Sequence, residues 1–164
     1  MPDTTIRHTI VLPAAHQRVW LALCDSSRFG TWFGADFDAP FVAGQPALGR
    51  IAPTRVDPAI ARLQEPFAGN PLALSIDTID PMHKFAFRWH PFPVGPAAPA
   101  ADEPMTQVTF TLAQADDGIE LTVTETGFEA LPPARREPAF NANNGGWAHQ
   151  MQLIARYLSG DFDR

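Results

Sequence analysis

A single cysteine, Cys24, rules out an internal disulfide framework in this chain of 164 residues. Basic residues are also scarce. Twelve Lys and Arg stand against 18 Asp and Glu, a net charge of −6, which disfavours non-specific attraction to nucleic acid or to an anionic membrane. No apolar run approaches the ~18 residues a membrane span needs. No basic stretch followed by an apolar core stands at the start, so a cytoplasmic location is the expectation. His8, His16, His83, His90 and His149 show no His-x-x-x-His spacing, and there is no Cys-x-x-Cys pair. No glycine-rich loop leads into Lys and Ser/Thr to cradle a phosphate. From these absences no metal, no cofactor and no catalytic residue is assigned.

What is present is a globular composition, 45% hydrophobic and 18% charged, at a length that suits one domain over residues 1–164. The 17 prolines gather where loops are needed. The most informative stretch is Gly145–Leu158. Trp147, Met151, Ile154 and Leu158 recur at i, i+4, i+7 and i+11 and form one stripe of a helix. Ala148 and Ala155 widen the stripe on one side, Leu153 and Tyr157 on the other, while His149, Gln152 and Arg156 keep the polar arc. A helix apolar over more than half its circumference belongs in a trough. The spacing places Pro138 in its first turn, with Arg135–Glu137 as a preceding turn. Gly145 and Gly146 should each cost about 1 kcal/mol relative to alanine, which points to close backbone approach to a sheet or to a bend.

The trough is read from the alternation upstream. Ile6, His8, Ile10 and Leu12 share one face of a first strand. Pro13 then seats a helix over 14–23 with His16, Val19, Trp20 and Leu23 on one face. Asp25-Ser26-Ser27 offers cap oxygens to a second short helix ending near Trp32-Phe33-Gly34. Residues 36–71 read as an excursion, with short strands around Phe37, Phe41-Val42 and 47–52 and a turn or two of helix from Pro58 to Gln64. Gln64-Glu65-Pro66-Phe67 is a surface loop or the cover of a cavity mouth. Leu72, Leu74 and Ile76 alternate, Asp80-Pro81 turns the chain, and Phe85, Phe87 and Trp89 share a face. Residues 91–104, with five prolines, read as an exposed semi-rigid loop. Val108, Phe110 and Leu112 line the next strand. Asp116-Asp117-Gly118 marks a hairpin, and Ile119, Leu121, Val123 and Glu125 share the following inner face. Strand, two helices, antiparallel meander and long helix make an α+β fold.

Glu125 is the polar residue that stands out, because its parity with Leu121 and Val123 turns it inward, where an unpaired carboxylate is costly. Either it contacts a ligand or acts as an acid/base, or it lies at the strand end, reaches water or a backbone amide and fixes the turn at Gly127-Phe128. The second reading is the simpler. His8 shares the inward parity and reads as a core or rim histidine. Arg88, His90 and His149 read as solvated, and Cys24 as a packing residue. Trp32, Phe85, Phe87, Trp89, Phe110 and Trp147 either line an apolar pocket or fill the interior.

Val19-Trp20, Trp32-Phe33, Ile79-Asp80-Pro81, Phe87-Arg88-Trp89, Val108-Thr109-Phe110, Thr122 to Phe128 and Gly146-Trp147 fall in one order along residues 4–159. In that order the chain resembles the activator of heat shock protein 90 ATPase homologue-like family. This family lies in the START-like (SRPBCC) helix-grip superfamily, with the polyketide cyclases, the birch pollen allergen type and lipid-transfer domains. The resemblance implies a curved antiparallel sheet wrapped around the C-terminal helix, with a cavity between them. It carries no shared catalytic motif. The expected function is non-catalytic binding of a small hydrophobic molecule. Trp147 and Met151 would form the helix wall, Phe87, Trp89 and Phe110 the sheet wall, with Trp32 beside them and Glu125 as polar anchor. The alternatives are a cyclase- or hydrolase-type enzyme, which would need Glu125 and His8 within hydrogen-bond reach, and a chaperone-regulating module acting through an outer surface. Monomer and homodimer both remain open.

Overall fold

In the computed structural model, which describes residues 4–91, 103–160 and 162, the strands form one antiparallel sheet curled around the last helix. The chain runs β1 (Ile6–Leu12), α1 (His16–Cys24), α2 (Ser26–Phe33), β2 (Ala35–Phe37), β3 (Pro46–Ile51), α3 (Pro58–Gln64), β4 (Pro71–Asp80), β5 (Lys84–Trp89), β6 (Thr106–Ala115), β7 (Gly118–Thr126) and α4 (Pro133–Ser159). Across the sheet the order is β1-β7-β6-β5-β4-β3-β2. All neighbours but one pair follow each other in the chain, as a meander does. The exception joins the first strand to the seventh, in a register that sets Ile6 opposite Glu125 and Leu12 opposite Ile119.

The alternation read from the sequence is the inner face of this sheet. Leu74, Ile76, Phe85, Phe87, Trp89, Val108, Phe110, Leu112, Leu121, Val123 and Glu125 are all buried. Thr122, Thr124 and Thr126 occupy outward positions on β7, where β-branched side chains suit a pleated surface. Between β6 and β7 the loop is only Asp116-Asp117, since Ala115 pairs with Gly118. Gly118 has φ +147°, and a Cβ there would stand 2.2 Å from the Leu12 carbonyl oxygen. Glycine is required on both counts.

Helix α1 forms on its apolar face, without a side-chain cap, and α2 on its cap and face together. Val19, Trp20 and Leu23 are buried along α1. The Asp25 carboxylate accepts hydrogen bonds from the Ser27 and Arg28 amides at 3.0 and 3.1 Å, capping α2. In the excursion, β2, β3 and α3 match expectation, with Asp57 capping α3 through Ala59 and Ile60. Phe41-Val42 forms no strand. Phe41 instead turns inward and stacks on Phe85, so its apolar signal was that of a plug. Gln64 acts as a brace: its amide donates to the Phe33 carbonyl and its oxygen accepts from the Thr54 amide. The expectation for residues 91–104 falls mostly on positions outside the described residues.

Helix α4 departs from its reading in three ways. It starts at Pro133, so Pro138 lies inside it rather than in its first turn. A proline in place costs one hydrogen bond, here to the Ala134 carbonyl, early in a helix held by packing. Gly145 and Gly146 are exposed and a Cβ on either would meet nothing within 4 Å, so close approach to the sheet is not what keeps them. Ala148 is exposed. The buried stripe runs further back, through Ala139 and Asn143 to Trp147, Met151, Ile154 and Leu158, with Leu153 and Tyr157 beside it. At the far end, the Arg18 guanidinium of α1 donates to the carbonyls of Tyr157, Leu158 and Gly160. These are groups a helix end leaves unsatisfied.

Candidate functional site

Glu125 sits near the end of β7 with no exposed surface. Its Oε1 accepts from the Trp147 indole nitrogen at 2.8 Å and the Asn143 amide nitrogen at 3.0 Å. Its Oε2 accepts from the Trp89 indole nitrogen at 2.9 Å, the Thr106 hydroxyl at 2.5 Å and the same Asn143 nitrogen at 3.0 Å. The strand-end reading is therefore overturned, since the carboxylate is fully buried and every hydrogen bond it accepts comes from a side chain. The inward parity stands. Each nitrogen that points at it can only donate, so the surround is matched to two accepting oxygens and each bond is of the charge-assisted kind.

Three elements place these donors. Trp89 is the last residue of β5 and Thr106 the first of β6, directly opposite each other in register. On α4, Asn143 and Trp147 are four residues apart and share one face. The cluster thus ties the end of the β5–β6–β7 sheet to the middle of the helix. Among the described residues Glu125 has no ion pair; the Arg135 guanidinium pairs with Glu103 and that of Arg156 with Asp57.

An aromatic layer surrounds the carboxylate. Ring centroids of Phe33, Trp89 and Trp147 lie 5.9 to 6.1 Å from one another, close to an equilateral triangle. Phe87 packs edge-on to Trp89 at 5.3 Å and Phe110 to Trp147 at 5.6 Å, the arrangement ring quadrupoles favour. Of the residues picked from sequence, Phe87, Trp89, Phe110, Glu125 and Trp147 are joined in this layer. Met151 is buried one turn along α4. Trp32 stands apart. It is fully buried at the α1–α2 seam, where its indole donates to the Ala22 carbonyl at 2.8 Å and its ring touches Phe29 and Phe33.

Sequence reasoning missed three members. Asn143 could have been found by extending the helical stripe back four residues from Trp147. Thr106 shares the parity of Val108 and Phe110. Phe33, adjacent to Trp32, is the residue of that pair that faces the carboxylate layer. His8 is half-buried at the rim, and its Nε2 is 2.9 Å from the Asn144 side-chain oxygen. No hydrogen bond joins it to Glu125, and none of the hydrogen bonds of Glu125 reaches a second titratable group. Cys24 is half-buried, and burial first, then the neighbouring Asp25 charge, pushes its thiol pKa up, the opposite of an activated nucleophile. His149 is exposed, as read. A separate polar hollow of about 120 Å³, lined by Ser26, Ser27, Thr31, Asp36, Pro53 and Arg55 among others, contains none of the residues picked from sequence. Among the described residues no helix is long and apolar enough to cross a membrane.

The chain is similar to proteins of known structure over nearly its full length. It covers 96% of itself on DynU16, a protein of the dynemicin biosynthetic locus, at 25% identity and a TM-score of 0.67, and spans 48% of that longer chain. Protein MLL2253 from Mesorhizobium loti is 18% identical with a TM-score of 0.68, over 94% of this chain and 96% of that one. Aha1 from Colwellia psychrerythraea, solved as a dimer, is 14% identical with a TM-score of 0.65, over 95% and 96%. No curated protein matches the sequence. The helix-grip arrangement supports a ligand-binding module in general terms. Because residues 13–159 match the family described as Activator of Hsp90 ATPase homolog 1-like protein, the chain belongs to that family.

Proposed function

We propose that this protein is a non-catalytic module that takes up a small hydrophobic molecule between the sheet and α4. Phe87, Trp89 and Phe110 form one wall, Trp147 and Met151 the other, and Glu125 is the polar anchor. The observation that carries this reading is the Glu125 cluster. A carboxylate solvated by four neutral side chains is a costly group to bury, and ligand sites are mainly apolar surfaces with a few placed polar groups. The same geometry weighs against a cyclase- or hydrolase-type enzyme. That alternative needs His8 within hydrogen-bond reach of Glu125, whereas His8 bonds Asn144 and the hydrogen bonds of Glu125 come from indole, amide and hydroxyl donors only. Native mass spectrometry of protein purified from its own host, followed by solvent extraction, tests the reading. A reproducible stoichiometric adduct of a small apolar molecule is the expected result; a clean mass at high protein concentration, with no adduct after incubation with host lipid extract, overturns it.

A second reading rests on the family description, which names activation of an Hsp90 ATPase. A chaperone-regulating module would act through its exterior. Stimulation of an Hsp90-type ATPase that persists when Trp147 or Phe110 is replaced would favour it over ligand uptake. The dimeric Aha1 neighbour makes the oligomeric state worth measuring in the same preparation by light scattering.

A further inference from the structure

We propose that the molecule taken up at Glu125 carries a positive charge: an organic ammonium group with a hydrophobic substituent. This inference rests on the binding reading above and names the chemistry of its ligand. Glu125 is fully buried and ringed by donors that are all neutral. A buried carboxylate keeps its cost low when a cation stands beside it, and no such cation is present among the described residues. Nor does the adjoining sequence hold one. From Trp89 to Thr106 there is no Lys or Arg; the only basic side chain is His90, which follows β5 half-buried and makes no hydrogen bond to Glu125.

The place for a cation is marked by Asn143. Its amide nitrogen is 3.0 Å from both Oε1 and Oε2, where a single ammonium nitrogen would sit to bridge the two oxygens. Each of the other donors serves one oxygen. Asn143 retains 7% of its surface and Trp89 9%, against none for Glu125. Turning the Asn143 amide would bring its oxygen, an acceptor, towards an incoming ammonium. The indole and hydroxyl bonds would stay in place. The hydrophobic part of the ligand would then lie against Phe33, Trp89 and Trp147, and the overall charge of −6 would favour approach of cations.

The test is calorimetric titration of the intact protein at neutral pH with three probes of one shape: 2-phenylethylamine, 2-phenylethanol and 3-phenylpropionate. The amine should bind at least tenfold more tightly than the alcohol, and the acid more weakly than either. Asn143→Ala, which vacates the bridging position, should raise amine affinity further. Glu125→Gln should remove the preference for amine over alcohol. Equal affinity of amine and alcohol for the wild-type protein overturns the cation while leaving the binding module standing. Binding of none of the three, together with no adduct in the native mass spectrum, overturns both. Should the Gln variant not fold, the Asn143→Ala result decides, since a purely structural cluster would lose stability there with no gain for the amine.

Discussion

Trp89 and Trp147 approach the same carboxylate from opposite layers, one from strand β5 and one from helix α4, and each donates its indole N–H to a different oxygen of Glu125. Their ring centroids are 5.9 Å apart. One acidic residue thereby fixes the distance and the rotation between sheet and helix. Apolar packing alone tolerates sliding; two indole hydrogen bonds to one group do not.

Replacing Glu125 with alanine should deprive four buried side-chain donors of this acceptor. Loss of one partner from such a cluster costs about 3–5 kcal/mol, so a large drop in the urea midpoint is expected. The near-ultraviolet dichroism of the tryptophans should change as well. A loss under 1 kcal/mol would mean that the donors find other acceptors.

Arg18 closes the end of α4 by donating to the carbonyls of Tyr157 and Leu158 and to that of Gly160 just beyond it. Arg18→Ala should destabilise the protein by about 1–2 kcal/mol, since hydrogen bonds from a charged donor and the helix dipole are both lost. Amide exchange should accelerate in the last turn of the helix and leave the β6–β7 hairpin unchanged.

Gly145→Ala and Gly146→Ala should each stabilise the protein, by about 0.5–1 kcal/mol. Both glycines are exposed, and a Cβ at either position meets open space. Thermal melts of the single variants check this. A fall in Tm would show that the glycines serve a state other than this one.

Gly118→Ala should do the reverse. The added methyl would press on the Leu12 carbonyl at a φ of +147° that alanine disfavours. A loss of about 2 kcal/mol or more is expected, measured by denaturant unfolding.

Cys24 should alkylate more slowly than a free cysteine at pH 8, and at the free rate once the protein is unfolded. Burial, then Asp25, pushes its thiol pKa above the ordinary value. The sign follows: the folded state favours the neutral thiol, so its contribution to stability is present below the unfolded pKa and is lost as pH rises through the folded one.

The strands were legible because their inner positions alternate strictly, as in Phe85-Ala86-Phe87-Arg88-Trp89, and parity alone carried Glu125 to the interior. What parity does not report is the partner. Asn143 and Thr106 are small polar residues whose role depends on which helix face meets which strand end, and that is settled in three dimensions. The start of α4 was misread for a local reason. Pro138 looked like an opening residue, but Pro133 offers the same fixed φ five residues earlier. Phe41 looked like strand because it is apolar, while its burial comes from stacking on Phe85.

The pairing of β1 with β7 has a consequence for how the chain acquires this structure. Strand β1 finds its partner only after β7 has been made, so its inner residues wait while the meander grows. Contacts between such distant positions slow folding. Until they form, the Glu125 cluster lacks its neighbouring strand. Assembly should thus be late and cooperative, with the Trp147 N–H of α4 reaching the carboxylate only once the sheet behind it is in place.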